Sequence, residues 1–506
     1  MKLKTSLLAM LIAGFFSANA AADNGSINSQ PAKPPMKAKA EPVRYPVPKN
    51  LDFSQVQGEK RQFEINGNAV PYRAFEHIVY VLKPSDTRYQ TMNIYIPEAY
   101  FNGGTIDGYN ADTAPIFFPN DVGGYMPATA GKPELGTRGG DSPNAIMVAL
   151  SKGYVVASVG ARGRTESDGK APAAIIDLKA AVRYLKANDK LMAGDANKII
   201  SNGTSAGGAL SALLGTSGNA PQYEPYLKAA GAAAATDDIF AVSVYCPITN
   251  LEHADMAYEW QFNGVNDYKK IDMHNIDYRV ERKLINGTQT AAQIALSDQL
   301  KPLFPAYVNG LNFKDKQGQP LTLDEKGNGS FKQFIEAKLM ESAQKALDNG
   351  TDLSDQTWLT IENGNVTAAD FDSYAKFVGR QKTAPAFDAV DLSSGENQLF
   401  GDTHTDKKHF TDFAMQHSTA ANAKRVDNAI VGLMNAMNYQ SPTQHYRIRV
   451  GENDRDTSLA ISALLALKLQ NEGKAVDYAL PWGVPHSGDY DLDELFDWVK
   501  SVVKGE

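Results

Sequence analysis

From Phe63 onward apolar and polar positions alternate, and "FEHIVYVL" and "MNIYIPEAY" predict early antiparallel strands. The pattern then changes. "APIFFPN" (Ala114 to Asn120) and "GYVVASVG" (Gly153 to Gly160) are short apolar runs bounded by turn residues, which predicts buried strands. "AAIIDLKAAVRYLKAN" has helical spacing, "KIISNG" is again a strand, "ALSALLG" begins a helix, and "IFAVSVYCPI" is a further strand. Strands alternating with helices imply an α/β fold with a mostly parallel sheet. Between about Asn250 and Tyr439 the rhythm stops. That stretch is polar, with amphipathic helical pieces such as "FKQFIEAKLMESAQKAL" and several Asn-Gly turns. It resumes with "HYRIRVG" (strand), "LAISALLALKLQNEG" (a helix with a Gly stop), "AVDYALPWG" (strand) and the closing helix "DLDELFDWVKSVV". One sheet accounts for the pattern, with core segments over 53–250 and 440–506 and a mainly helical insertion over 251–439.

The N-terminus follows neither period. Lys2 and Lys4 precede an apolar run from Leu7 to Phe16, and Ser-Ala-Asn-Ala ends at Ala20, which predicts a signal peptide over 1–20. The run is too short to span a bilayer, so export to the periplasm or medium is expected, without stable membrane insertion. Residues 21–52, rich in Pro, Lys and Ala, read as a flexible leader.

Composition alters this picture little. Of 506 residues, 43% are hydrophobic and 21% charged, an ordinary globular balance. A formal net charge of -8 implies no basic surface and no nucleic-acid partner. Cys246 is the only cysteine, so an intramolecular disulfide is excluded and the core must supply stability. In its apolar run it reads as a small buried residue.

The candidate chemistry starts at Gly203-Thr204-Ser205-Ala206-Gly207, a G-x-S-x-G between a strand and a helix. Small neighbours let strand and helix pass closely while the serine is lifted clear as a nucleophile. On such a fold the orienting acid and the base follow in the order Asp, His. His486 falls in "WGVPHSGDYDLDELF", after the last strand and before the last helix. One strand earlier, "RIRVGENDRDTS" ends in a polar turn where Asp454 or Asp456 stands ready to orient the imidazole. For an oxyanion hole, "FFPNDVGGYM" offers the backbone N–H of Gly123 or Gly124, with Ala206 as the second donor.

Taken together, "PNDVGGYMP", "GARGR", "GTSAGG", "QKTAPAFD", "ENQLFGD", "GENDRDTS" and "PHSGDYDLDELFDW" resemble the bacterial subtype B tannases, esterases of galloyl esters, over roughly residues 60–500. The resemblance implies an α/β-hydrolase with a lid insertion, Ser205 as nucleophile, His486 as base and Asp454 as orienting carboxylate. It further implies that Lys382, Glu396 and Asp456 contact the galloyl group; without it, Lys382 and Glu396 read as solvated surface charges. A gallate ring carries three hydroxyl donors, for which carboxylates are natural acceptors. The expected partner is a small phenolic ester, with no cofactor and no metal. A feruloyl or general carboxylesterase of the same fold is the alternative.

Overall fold

The computed structural model describes residues 40–136, 141–276 and 279–505, and the side chains of 273–281 are left aside. The expected signal peptide and the leader up to residue 39 lie outside the described residues. Residues 40–52, expected to belong to a flexible leader, are instead tied to the folded unit. Tyr45 stacks on His77 with ring centroids 4.3 Å apart, Arg44 pairs with Asp86 at 3.1 Å, and Glu41 pairs with Arg88 at 3.0 Å. Average composition does not reveal such partners, and backbone bonds add to them: the Tyr45 N–H donates to Thr87 Oγ1 at 3.0 Å, and Asn188 Nδ2 donates to Leu51 O at 2.8 Å.

Three antiparallel strands open the fold: β1 (Glu59–Ile65), β2 (Asn68–Val79) and β3 (Thr91–Pro97). Then come β4 (Pro115–Pro119), β5 (Val155–Val159), β6 (Asp195–Thr204) and β7 (Ala241–Tyr245). Every residue of β4, β5 and β7 is buried, as expected where helices cover both faces of a parallel sheet. The insertion holds two hairpins, β8 (Asp267–Ile276) with β9 (Arg279–Thr288) and β10 (Leu359–Glu362) with β11 (Asn365–Ala369). Finally β12 (His445–Arg449) and β13 (Ala475–Ala479) complete a nine-stranded sheet, in the order β1-β2-β3-β5-β4-β6-β7-β12-β13. From β5 to β13 all neighbours are parallel. This is an α/β-hydrolase architecture.

Because β12 pairs directly with β7, the chain returns to the sheet beside the strand it left. The residues between them can be elaborated without disturbing the core. Helices are the commonest regular elements of that stretch, and the two hairpins depart from the helical expectation. The β10–β11 turn is Asn363-Gly364, both at positive φ, the favoured two-residue hairpin turn. The β8–β9 strands are rich in Lys, Asp and Asn, so their alternation reads as plain polarity.

Helices Ala173–Ala187, Ala206–Thr216 and Leu459–Asn471 are buried almost throughout. The closing helix Leu492–Lys504 buries only Leu495, Phe496 and Val499, an i, i+1, i+4 face, with Phe496 against Phe117 at 5.1 Å. Among the described residues no helix is long and apolar enough to cross a membrane.

Candidate active site

Ser205 joins β6 to helix Ala206–Thr216 with φ 58° and ψ −121°, a strained conformation for a side chain with a Cβ. Its neighbours leave no room for anything larger. A Cβ on Gly203 would lie 2.3 Å from Gly207 O, and one on Gly207 would lie 2.6 Å from Asn120 Oδ1. The turn therefore requires its glycines, and Ser205 stands at the end of a central strand.

His486 reaches this point from the loop after β13. Its Nε2 lies 2.8 Å from Ser205 Oγ, and its Nδ1 lies 2.8 Å from Asp454 Oδ2. The loops bearing these two residues cross at Gly451, where a Cβ would lie 1.9 Å from Val484 O. Asp454 is fully buried, and its Oδ1 accepts the Asp456 backbone N–H at 2.9 Å. Asp456 faces the opposite edge of the ring, with Oδ2 3.4 Å from Nε2. Ser458, not Asp456, caps the helix that follows. Burial opposes a charge on His486, yet Asp454 above all, with Asp456 beside it, outweighs it and raises the imidazole well above its ordinary value.

Cys246 is buried as expected, at a place the sequence does not disclose: its Sγ lies 3.9 Å from His486 Nε2. Burial above all pushes this thiol up, so it stays protonated. Among the described residues, Cys246, Asp454 and His486 are the one group with ligand atoms close enough for a metal ion, within 4.8 Å. Both imidazole nitrogens already face Ser205 and Asp454, and a buried neutral thiol is a poor ligand, so hydrogen bonding describes this cluster better than metal binding.

The loop after β4 lies against the elbow. Gly207 donates its N–H to Val122 O at 2.9 Å, and Val122 N donates to Asn120 Oδ1 at 3.2 Å. Asn120 Nδ2 in turn donates to Gly207 O at 3.2 Å and Ser211 Oγ at 3.1 Å. Of the N–H groups that follow Ser205, that of Gly207 is thus spent on holding the loop, and that of Ala206 remains at the open first turn of the helix. Gly123 borders open space, and Gly124 adopts φ 56°.

Lys382 and Asp456 come together across the insertion boundary, with Nζ 3.4 Å from Oδ1, and Lys382 Nζ also sits 4.1 Å over the Phe387 ring. Burial works against the Asp456 charge, but Lys382 and then His486 prevail and hold its carboxyl below the usual range. Several supporting residues are not apparent from the sequence. Tyr258 Oη accepts the backbone N–H groups of Gln381 and Lys382, each at 3.0 Å. Gln381 Nε2 donates to Asp456 Oδ1 at 2.9 Å. Arg380 forms a fully buried pair with Glu259 and donates to Lys382 O at 3.0 Å. They fall in two segments more than a hundred residues apart, Tyr258 and Glu259 on helix Leu251–Phe262 and Arg380 and Gln381 beside Lys382, so no short window of sequence links them. Glu396 stands apart from that pair, on the short helix Gly395–Leu399, where its charge acts on Tyr125 and Arg164.

A serine hydroxyl hydrogen-bonded to an imidazole, itself held by a buried carboxylate, can carry out nucleophilic acyl transfer. The family model BD-FAE matches residues 137–309. No curated protein matches the chain. Among solved structures, the tannase of Fusobacterium nucleatum is 52% identical over 90% of this chain and 100% of its own, with a TM-score of 0.87. A tannase from Lactobacillus plantarum is 45% identical over 90% of this chain and 99% of its own, with a TM-score of 0.85. A tannin acyl hydrolase in complex with ethyl gallate is likewise 45% identical over 90% and 99%, at 0.83.

Proposed function

The chain belongs to the bacterial tannase family, and on that premise we propose that it is an exported serine esterase that hydrolyses galloyl esters of tannins and simple alcohols. The observation that carries the reading is the hydrogen-bonded line from Ser205 through His486 to buried Asp454, with Lys382 and Asp456 beside it. Ser205 Oγ attacks the ester carbonyl carbon while His486 Nε2 takes the hydroxyl proton, and Asp454 keeps Nδ1 protonated and the ring aligned. The carbonyl oxygen becomes an oxyanion, which the N–H of Ala206 and that of Gly123 or Gly124 stabilise. His486 returns its proton to the departing alcohol oxygen, and the galloyl group is left on Ser205. Water, deprotonated by the same imidazole, then releases gallic acid and restores the serine. No step calls for a cofactor.

Lys382, Glu396 and Asp456 select the acyl ring, with the insertion acting as a lid that brings the first two to it. A ring with three hydroxyl donors suits two carboxylate acceptors, and the ammonium complements phenolate character. A site built to bond hydroxyls rejects analogues lacking them, by up to roughly 10⁴-fold, because its own polar groups are left unpaired. Methyl gallate is therefore expected to be cleaved far better than methyl ferulate. Lys382→Ala and Glu396→Ala should each lose most activity on methyl gallate yet still hydrolyse p-nitrophenyl acetate. A wild type that prefers methyl ferulate, or variants with undiminished methyl gallate activity, would replace this reading with a general carboxylesterase.

A further inference from the structure

Three fully buried polar side chains of the insertion have no part in the mechanism above: Asp388, Asn397 and His409. Asp388 is their hub. Its Oδ1 accepts Asn397 Nδ2 at 2.7 Å and lies 2.7 Å from His409 Nδ1. Its Oδ2 accepts the backbone N–H groups of Phe410 and Thr411 and the Thr411 hydroxyl, each at 2.8 Å. Burying a carboxyl group is unfavourable unless its oxygens are hydrogen-bonded, and these five partners satisfy both of them.

The hub lies where the segments carrying Lys382 and Glu396 meet. Phe387, the residue before Asp388, carries the ring that lies 4.1 Å from Lys382 Nζ. The backbone N–H groups of Phe387 and Asp388 donate to Asp255, on helix Leu251–Phe262, at 2.6 and 3.1 Å. On the other side, Asn397 directly follows Glu396 on helix Gly395–Leu399, and its amide reaches back to Asp388. Ser394, the N-cap of that helix, donates to Phe387 O. The helix of Glu396 is thus docked on the segment of Lys382. It keeps a further tie to the core, where Gln398 Oε1 accepts Arg164 Nη1 at 2.5 Å, so loss of the Asp388 bond should shift the helix and not release it.

We propose that Asp388 is a positioning residue for ring selection: through Asn397 it sets where Glu396 stands relative to Lys382. The inference rests on the reading of Lys382 and Glu396 as galloyl contacts. Asp388 and Asn397 are themselves fully buried and touch no substrate atom, so their effect passes through Glu396.

The test is the kcat and KM of Asn397→Ala, Thr411→Val and Asn397→Ala combined with Glu396→Ala, on methyl gallate and on p-nitrophenyl acetate, with thermal melts as a folding control. Asn397→Ala and Thr411→Val each remove one side-chain donor from Asp388, but only Asn397 belongs to the helix of Glu396. Asn397→Ala should raise KM for methyl gallate about tenfold, the scale of one weakened hydrogen bond to a charged group. Its kcat, and its turnover of p-nitrophenyl acetate, should stay within about threefold of wild type, the mark of lost uniform binding. Thr411→Val should lower the melting temperature alone, because Oδ2 keeps its two backbone donors. Added to Glu396→Ala, Asn397→Ala should cost no more than about a further twofold on methyl gallate, since changes acting through one contact do not add. An unchanged KM in folded Asn397→Ala, an equal rise in Thr411→Val, or full additivity with Glu396→Ala overturns the proposal and leaves the galloyl reading standing. Should Asn397→Ala not fold, Asn397→Ser takes its place under the same criteria. A wild type active on p-nitrophenyl acetate but inert to methyl gallate defeats the galloyl reading, and this inference with it.

Discussion

Asp454 and Asp456 stand two residues apart and address opposite edges of one imidazole. Asp454 holds Nδ1 at 2.8 Å, whereas Asp456 lies 3.4 Å from Nε2 and shares its charge with Lys382. Their substitutions should therefore differ in kind. Asp454→Asn removes the acceptor that fixes the tautomer and should lower kcat on every ester by up to about 10⁴-fold. Asp456→Asn should retain p-nitrophenyl acetate hydrolysis and change its pH profile. His486 acts as a base only when neutral, and its raised pKa puts the acid limb of kcat/KM above 6.5, with rate rising as pH rises through it. Removing the Asp456 charge withdraws part of what favours the imidazolium, so the limb should move to lower pH. A pH–rate profile of the two proteins checks this, and a limb that stays in place or moves upward would refute the coupling.

At the scale of elements, the site depends on places where two segments pass almost in contact. Gly207→Ala would put a methyl 2.6 Å from Asn120 Oδ1 and 2.7 Å from Val122 O. Alanine's advantage over glycine in a helix, about 1 kcal/mol, cannot offset pushing that loop aside. The variant should melt lower and lose at least about tenfold in kcat, which melts and p-nitrophenyl acetate kinetics together will show. A second junction lies where β12 leads into the Asp454 loop. Glu452 is buried there and accepts the Gly483 N–H at 3.2 Å, and burial pushes its carboxyl up to about 7. Between its ordinary 4.5 and about 7 the folded state holds a proton that the unfolded chain has released, so stability falls as pH rises through that window. Glu452→Gln should remove that loss, melting above wild type at pH 8 and close to it at pH 4. Equal differences at the two pH values would count against this account.

For the whole molecule, the sheet presents Ser205, Asp454, Asp456 and His486 while the insertion presents Lys382 and Glu396, so under the proposed function ring selection draws on both parts of one chain. Within the insertion, the buried Arg380–Glu259 pair seats Lys382, because Arg380 also holds the Lys382 carbonyl. Glu259→Ala leaves a buried cation unpaired and should cost about 3–5 kcal/mol in stability. In whatever fraction stays folded, KM for methyl gallate should rise while p-nitrophenyl acetate turnover persists. The export proposal belongs at this scale too: protein recovered outside the cytoplasm should begin near Ala21, which N-terminal sequencing of secreted material decides.

The sequence by itself determined the elements of the core and the chain order of Ser205, Asp454 and His486, but not the hairpins of the insertion. Hydrophobic period reports burial within windows of five to fifteen residues, and a tight strand-to-helix turn announces its steric demands in its own glycines. Parallel strands also send their C-terminal ends to one edge, which made Ser205 and His486 legible as companions. Tertiary structure decided what depends on loops crossing that edge: which aspartate meets Nδ1, that Cys246 flanks the imidazole, and that Gly207 spends its N–H on Val122. Lys382 and Glu396 look like solvated charges in a polar stretch, and only the packing of Tyr258 and Arg380 seats the first of them. Arg164 is a further case, with partners 40 and 234 residues away on the Gly124 loop and the Gly395–Leu399 helix. A hydrogen bond between side chains so distant leaves no local pattern, because its geometry arises only once the sheet and insertion have packed.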